Sequence, residues 1–282
     1  MTFSLQSIAT CIPFSNGTHH MFNKNNKSLF YSAWARLIFA YLISFSLSFA
    51  AGIFFIRILS IAPETIFEIS TKRLSYAFPV FETGAALGID EGIFLFAWNT
   101  LASLITISFL YTASFFNPHN ISLFPQSIRK AFCGRKRMKI LCFLPGCLKI
   151  EEESLRRLYV WLMVPWLGMI LLGMESGLAA STSTYIFGSY FIGFVSLIPH
   201  GIVEIPTIAL AGSVTFSVHL LVKEKAIGNM PNEIFEDVEK LKSEIPIKTI
   251  ILIVIFCLLI AGLVEGHITQ NILDALFKNL RV

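Results

Sequence analysis

Residues 185–222 read "YIFGSYFIGFVSLIPHGIVEIPTIALAGSVTFSVHLLV", and Glu204 is the only formal charge in these thirty-eight residues. As one straight helix the segment would be about 57 Å long at 1.5 Å per residue, far beyond a hydrocarbon core of about 30 Å. The chain must therefore turn or break, and Pro199-His200-Gly201 is the natural place. Pro suits the first turn of a new helix, and Gly tolerates the turn itself. Pro206 predicts a second interruption, because it removes a donor and its ring clashes with the carbonyl of Ile202. Non-helical backbone at membrane depth is tolerated only where protein or a water-filled cavity satisfies it, so the break should face the interior of a bundle.

The rest of the chain supports a membrane setting. Charged residues make up 14% and hydrophobic residues 55% of the 282, with a mean hydropathy of +0.69; a soluble domain carries about 25% charged residues. Leu37–Ile56 holds twenty residues without a charge, and Gly92–Phe116 is a second such run. A span needs roughly 20 apolar residues. The expected spans are 37–56, 92–116, 158–180, 185–200, 202–222 and 247–268. The first 27 residues have neither a basic start nor an apolar centre, so the first span is expected to act as its own insertion signal.

Charge between the spans sets the expected orientation. Residues 57–91 carry three basic and five acidic side chains, a net of −2, whereas residues 117–157 carry nine basic and three acidic, a net of +6. The positive-inside rule then places the N-terminal segment 1–36 and the 117–157 loop in the cytoplasm, in the cell membrane of a multi-pass protein. If 185–222 crosses twice there are six spans, which Lys278 and Arg281 favour; if it is one broken unit there are five. The loop mixes Arg129, Lys130, Arg135, Lys136, Arg137 and Lys139 with bulky apolar residues, a composition suited to an anionic leaflet; with no base-reading or stacking pattern, nucleic acid is excluded as a partner. The cysteines at 11, 133, 142, 147 and 257 show no paired spacing and are expected to be reduced. Ile234, Val238 and Leu241 recur at helical spacing among charges, which predicts an amphipathic helix lying on the membrane surface or serving as a partner dock.

Three acids fall inside or at the ends of the spans: Glu175, Glu204 and Glu265. A carboxylate at the bilayer centre costs roughly 2.5–3.5 kcal/mol on the insertion scale, so each needs a partner or a task. His200 and Glu204 share a helix face at i, i+4 spacing. With Glu265 and Asn99 they form the candidate intramembrane polar site, in which Pro199, Gly201 and Pro206 supply the helix break. The pattern permits a hydrogen-bonded clasp, proton sharing or metal binding, but "HGIVE" lacks the second histidine of a zinc protease. Metal is left open, and no catalytic residue and no cofactor is assigned. His219 reads as an interior histidine satisfied by its surroundings, and Glu175 as an interfacial acid.

The stretch "PHGIVEIPTIALAG", Pro199 to Gly212, resembles the signature of the stage II sporulation protein M family, a Pro-His-Gly-x-x-Glu-hydrophobic-Pro run followed by small residues. "LLIAGLVEGHITQ", Leu258 to Gln270, is similar to that family's last membrane helix, and "FAWNTLAS" supplies the asparagine of the second. The family's asparagine-glycine pair is replaced here by "FFNPHN". The resemblance implies a polytopic membrane protein without established enzymatic activity; relatives in spore formers anchor a peptidoglycan-degrading machine and recruit separate hydrolases. Relatives occur outside spore formers, so a sporulation role is not carried over.

The resulting expectation is an all-α membrane bundle of five to six transmembrane helices, broken at Pro199–Gly201. Residues 37–282 form one transmembrane domain with its basic loop at about 117–157. The leading function is a scaffold or anchor whose partners are the lipid bilayer and other membrane or cell-envelope proteins, with a homo-oligomer also compatible. The alternatives are a transporter subunit, in which the acids line a pathway, and an intramembrane metal-dependent hydrolase.

Overall fold

The computed structural model describes residues 24–76, 78–116, 147, 150, 152–195, 198–226 and 230–269. Among these the chain is helical: α1 Lys24–Arg57, α2 Pro63–Ser75, α3 Phe78–Ala86, α4 Glu91–Thr112, α5 Glu153–Leu162, α6 Val164–Ile186, α7 Tyr190–Val195, α8 Ile198–Lys225, α9 Pro231–Glu244 and α10 Ile247–Leu263. A 3-10 turn, Ala113–Phe116, follows α4, and a π turn, Val264–Thr269, follows α10. Among the described residues five stretches are long and apolar enough to cross a membrane: Asn26–Arg57, Glu91–Thr112, Ser154–Ile186, Gly201–Lys225 and Ile247–His267. The protein is thus a multi-pass helical bundle. Residues 185–200 do not make a sixth span, because the six-residue α7 is only about 9 Å long. The first span begins well before Leu37: Arg36 marks the expected boundary, but the helix carries it through on an exposed face.

Successive spans alternate in direction. The end of the bundle where α1 starts is here called proximal and the other end distal. The Asn26 amide donates to Glu244 at 2.6 Å, just before α10, which fixes the proximal end. His267 lies 3.5 Å from Asp90 at the distal end.

The most extensive contact joins α1 to α6, and small residues make it. A Cβ on Gly173 would come within 2.5 Å of the Tyr41 carbonyl, and one on Gly177 within 2.9 Å of the Phe49 amide. Ser44, Ser48 and Gly52 on α1 thus face Gly173, Gly177 and Ser181 on α6, four residues apart on both helices and rising in the same direction. Membrane helices gain no hydrophobic drive from burying leucine against leucine, so backbone proximity of this kind is what holds them. A second seam joins α4 to α10, where a Cβ on Gly262 would sit 2.5 Å from the Gly92 carbonyl.

Helix α8 is the axis of the bundle: 83% of its most apolar window is buried, against 17% for the first two spans. Its hydroxyls are satisfied without water. Ser213 donates to the Leu210 carbonyl at 2.7 Å and Thr215 across to the Thr106 carbonyl at 2.8 Å.

Two segments expected to lie between or beside the spans are folded against them. Helices α2 and α3, in a region of mixed charge, form a hairpin that doubles back along the bundle. Pro63 lies beside Tyr185, while Ser70 and Thr71 reach the level of Leu172 and Glu175. The ring of Phe81 on α3 is 4.5 Å from Phe94 on α4. Helix α9 does show the predicted amphipathicity, but Ile234, Phe235, Val238 and Leu241 are buried in the same core as Leu158, Val214 and Val218. Its apolar face is therefore spent internally and neither rests on lipid nor awaits a partner. Cys147 is disulfide-bonded, which departs from the expectation of free thiols in the basic loop, while Cys257 on α10 is free.

The α1–α6 seam makes a stability prediction. Gly177→Leu forces a side chain into backbone atoms and should destabilise the protein by about 1–3 kcal/mol. Gly168→Leu, on the same helix but with open space at its Cβ, should stay within about 0.5 kcal/mol. Equilibrium unfolding in mixed micelles measures both; equal losses would show that the seam is not tightly packed.

Candidate functional site: an acidic cavity beside the helix break

The chain is interrupted before, not at, Pro199-His200-Gly201. Helix α7 ends at Val195 and α8 begins at Ile198, with Pro199, His200 and Gly201 in its first turn. Pro is at home there because a first-turn amide has no intrahelical acceptor to lose. Pro206, by contrast, lies inside α8 and does not end it. The helix absorbs the missing donor, and the Pro206 carbonyl accepts a hydrogen bond from Trp34 Nε1 at 3.0 Å. That contact ties α1 to α8 where proline weakens the backbone ladder.

One turn beyond the break, Glu204 opens onto a cavity of about 500 Å3. Asn99 of α4, Glu175 and Ser176 of α6, Glu204 of α8 and Glu265 of the π turn line it, with Tyr41 from α1 and Ser70 and Thr71 from α2. The Asn99 amide donates to Glu204 Oε1 at 3.0 Å. Ser176 donates to the Leu172 carbonyl at 2.8 Å and also bonds the Tyr41 hydroxyl. Glu265 is close enough to act electrostatically on Glu204. The π turn itself is notable, since such widenings are frequent at functional sites.

Of the candidate residues, Asn99, Glu204 and Glu265 therefore meet at one cavity. His200 is placed by its backbone in the first turn of α8, and its side chain lies outside the described residues. Glu175, read from sequence as an interfacial acid, lines the same cavity. Ser70 and Thr71 went unread because α2 has the composition of a loop; Ser70 and Ile66, one turn apart on one buried face, were the available signal. His219 sits elsewhere. It is buried near the proximal end of α8, its Nδ1 2.9 Å from the Tyr159 carbonyl and its ring stacked on Phe216. A carbonyl partner requires the proton on Nδ1.

Chemically, three carboxylates, an amide and several hydroxyls in one membrane-depth cavity can share protons or receive a cation. Among the described residues no group of three His, Cys, Asp or Glu side chains is close enough together to hold a metal ion. Residues 137–270, just under half of the chain, match the family model described as Stage II sporulation protein M. The "PHGIVE" signature and the Leu258–Gln270 segment both fall within the match, so the resemblance read from those residues holds over this part. No curated protein and no solved structure matches the chain.

The Asn99–Glu204 pair can be separated from its charge. Glu204→Gln keeps an acceptor for the Asn99 amide and should fold close to normally. Glu204→Leu strands that amide in the bundle and should cost about 1–3 kcal/mol. Combining Glu204→Leu with Asn99→Leu should recover part of the loss in a double-mutant cycle. Additive losses would mean the hydrogen bond contributes nothing.

Proposed function

We propose, from the premise that over residues 137–270 this chain is a member of the stage II sporulation protein M family, that it acts as a membrane scaffold holding other membrane or cell-envelope proteins. The observation that carries this reading is a platform at the distal end. Leu37 of α1 packs against Gly212 of α8. From that level α1 continues for 20 residues to Arg57, but α8 has only 14 back to Ile198, so α1 overshoots by about 9 Å. Its parallel neighbour α6 rises with it, and α2 packs along α6 from Tyr185 to the level of Glu175. The hairpin leaves large apolar side chains uncovered: Phe67 is 48%, Ile69 58% and Tyr76 76% exposed. Exposed apolar side chains on a segment too short to span are surface that a partner protein can cover.

A transport role is the second reading, favoured by the acid-lined cavity. Against it, every residue of α8 from Ala209 to Val222 is buried, and this leaves no polar continuation of the cavity along the axis helix.

The orientation proposed with the scaffold puts the basic 117–157 loop in the cytoplasm and the hairpin outside, following the +6 and −2 segments. The disulfide at Cys147 pulls the other way, because a reducing cytosol keeps thiols free. Single cysteines at positions 136 and 68 in a cysteine-free background decide between them. An impermeant maleimide added outside should label position 68 and not 136; the reverse pattern would invert the topology.

The scaffold itself is tested with a photo-reactive residue at Ile69 or Tyr76 in native membranes. Discrete protein adducts are expected there, and only lipid adducts at the lipid-facing Leu252 of α10. Lipid adducts alone at all three positions would remove the basis of the scaffold reading.

A further inference from the structure

A second cavity, of about 520 Å3, opens on the side of the bundle at its proximal half, between α1, α5–α6 and α8. It lies apart from the acidic cavity and shares none of its charged residues. Phe39, Ile43 and Leu47 of α1 form one wall, with Ile170 and Leu220 opposite. The buried His219 closes the back, its Nδ1 held by the Tyr159 carbonyl. Two cations, Arg36 and Lys223, complete the lining, and no acid is among the lining residues.

Those two cations need explaining. Arg36 lies within the first span, on an exposed face, where an unneutralised guanidinium is costly. Among the described residues neither Arg36 nor Lys223 makes a salt bridge. Both side chains are long enough to carry their charge toward the headgroup level while their stems stay in apolar surroundings. The apolar wall has a matching length. From Arg36 to Leu47 is 11 residues, about 16 Å of helix, close to the roughly 15 Å that one leaflet contributes to a core about 30 Å thick.

We propose that this groove binds one anionic phospholipid of the proximal leaflet, its phosphate held by Arg36 and Lys223 and an acyl chain lying along Phe39, Ile43 and Leu47. The cations supply the headgroup preference, and the groove supplies the site. A zwitterionic lipid fits the same walls, but its own ammonium offsets the phosphate at the two-cation mouth.

The test uses the full chain with benzoylphenylalanine at Leu47, reconstituted in vesicles of phosphatidylglycerol and phosphatidylcholine at equal mole fraction. Irradiation followed by mass spectrometry counts each adduct. Phosphatidylglycerol adducts at position 47 should exceed phosphatidylcholine adducts by about thirtyfold, the size two surface cations at about 1 kcal/mol each give. The same label at Leu252 should report the bulk mixture. Arg36→Gln with Lys223→Gln, both on exposed side chains, should bring position 47 to within about twofold of the bulk ratio. Lys248→Gln, an exposed cation outside the groove, should leave the preference intact. Equal ratios at positions 47 and 252, a preference that survives the double substitution, or one equally reduced by Lys248→Gln would each overturn the proposal. So would a Leu47 label that captures no lipid.

Discussion

The arrangement depends on two helices being allowed to touch backbone to backbone. Where Gly173 and Gly177 of α6 meet Tyr41, Phe45 and Phe49 of α1, there is no room for a side chain. In water such a contact would be one of many; in lipid, where apolar burial drives nothing, it is a main source of helix affinity. Once α1 and α6 are locked in parallel, their combined surface forms the cradle that α8 occupies, with Leu37 and Pro165 both against Gly212. Both cavities are bounded by this pair: Tyr41 and Glu175 at one, Arg36, Phe39 and Trp166 at the other. The α2–α3 hairpin has its packing surface only because α6 extends so far beside α1.

The second constraint is polar satisfaction without water. Helix α8 passes through the most enclosed part of the bundle with Thr207, Ser213, Thr215, Ser217 and His219 buried. Each donates to or pairs with a carbonyl, mostly one turn back on α8 itself. Such back-bonding suits hydroxyls in apolar surroundings. The acids are treated differently. Glu204 turns toward the amide of Asn99 and toward a cavity, not into packed side chains. A carboxylate has no hydrogen to give back to its own helix, so it needs donors from elsewhere or space for solvent or an ion.

How much of this was legible follows from the same physics. The membrane setting could be read, and Glu204 and Asn99 could be nominated, because a charge or an amide in an apolar run stands out against its neighbours; Pro199–Gly201 was expected to break the chain, whereas it lies in the first turn of α8. Pro206 could be misread because a packed helix can continue past one missing donor; the Trp34 bond goes to the Pro206 carbonyl and not to the Ile202 carbonyl that loses its partner. Arg36 was taken as a boundary because a single charge ends an apolar window, although a long side chain at a helix surface need not end the helix. Glu265 could be nominated from sequence but not placed, since only tertiary packing brings the π turn beside α8. The hairpin was hidden for a plainer reason: one helix of 13 residues has the mixed charge of a loop, and the other, of 9, is too short to stand out.

The parallel pairing of α1 with α6 also sets the order in which the molecule can be assembled. Ser44 and Gly173 are separated by nearly half the length of the chain, and α4 must cross the membrane between them. While the ribosome is still delivering the basic loop, α1 stands in the bilayer with its stripe of serines and glycine facing lipid and no partner yet made. The long-range closure comes late, and α8 can enter its cradle only after it. The first helix to be inserted is thus secured only when the third span arrives, ahead of α8 and α10.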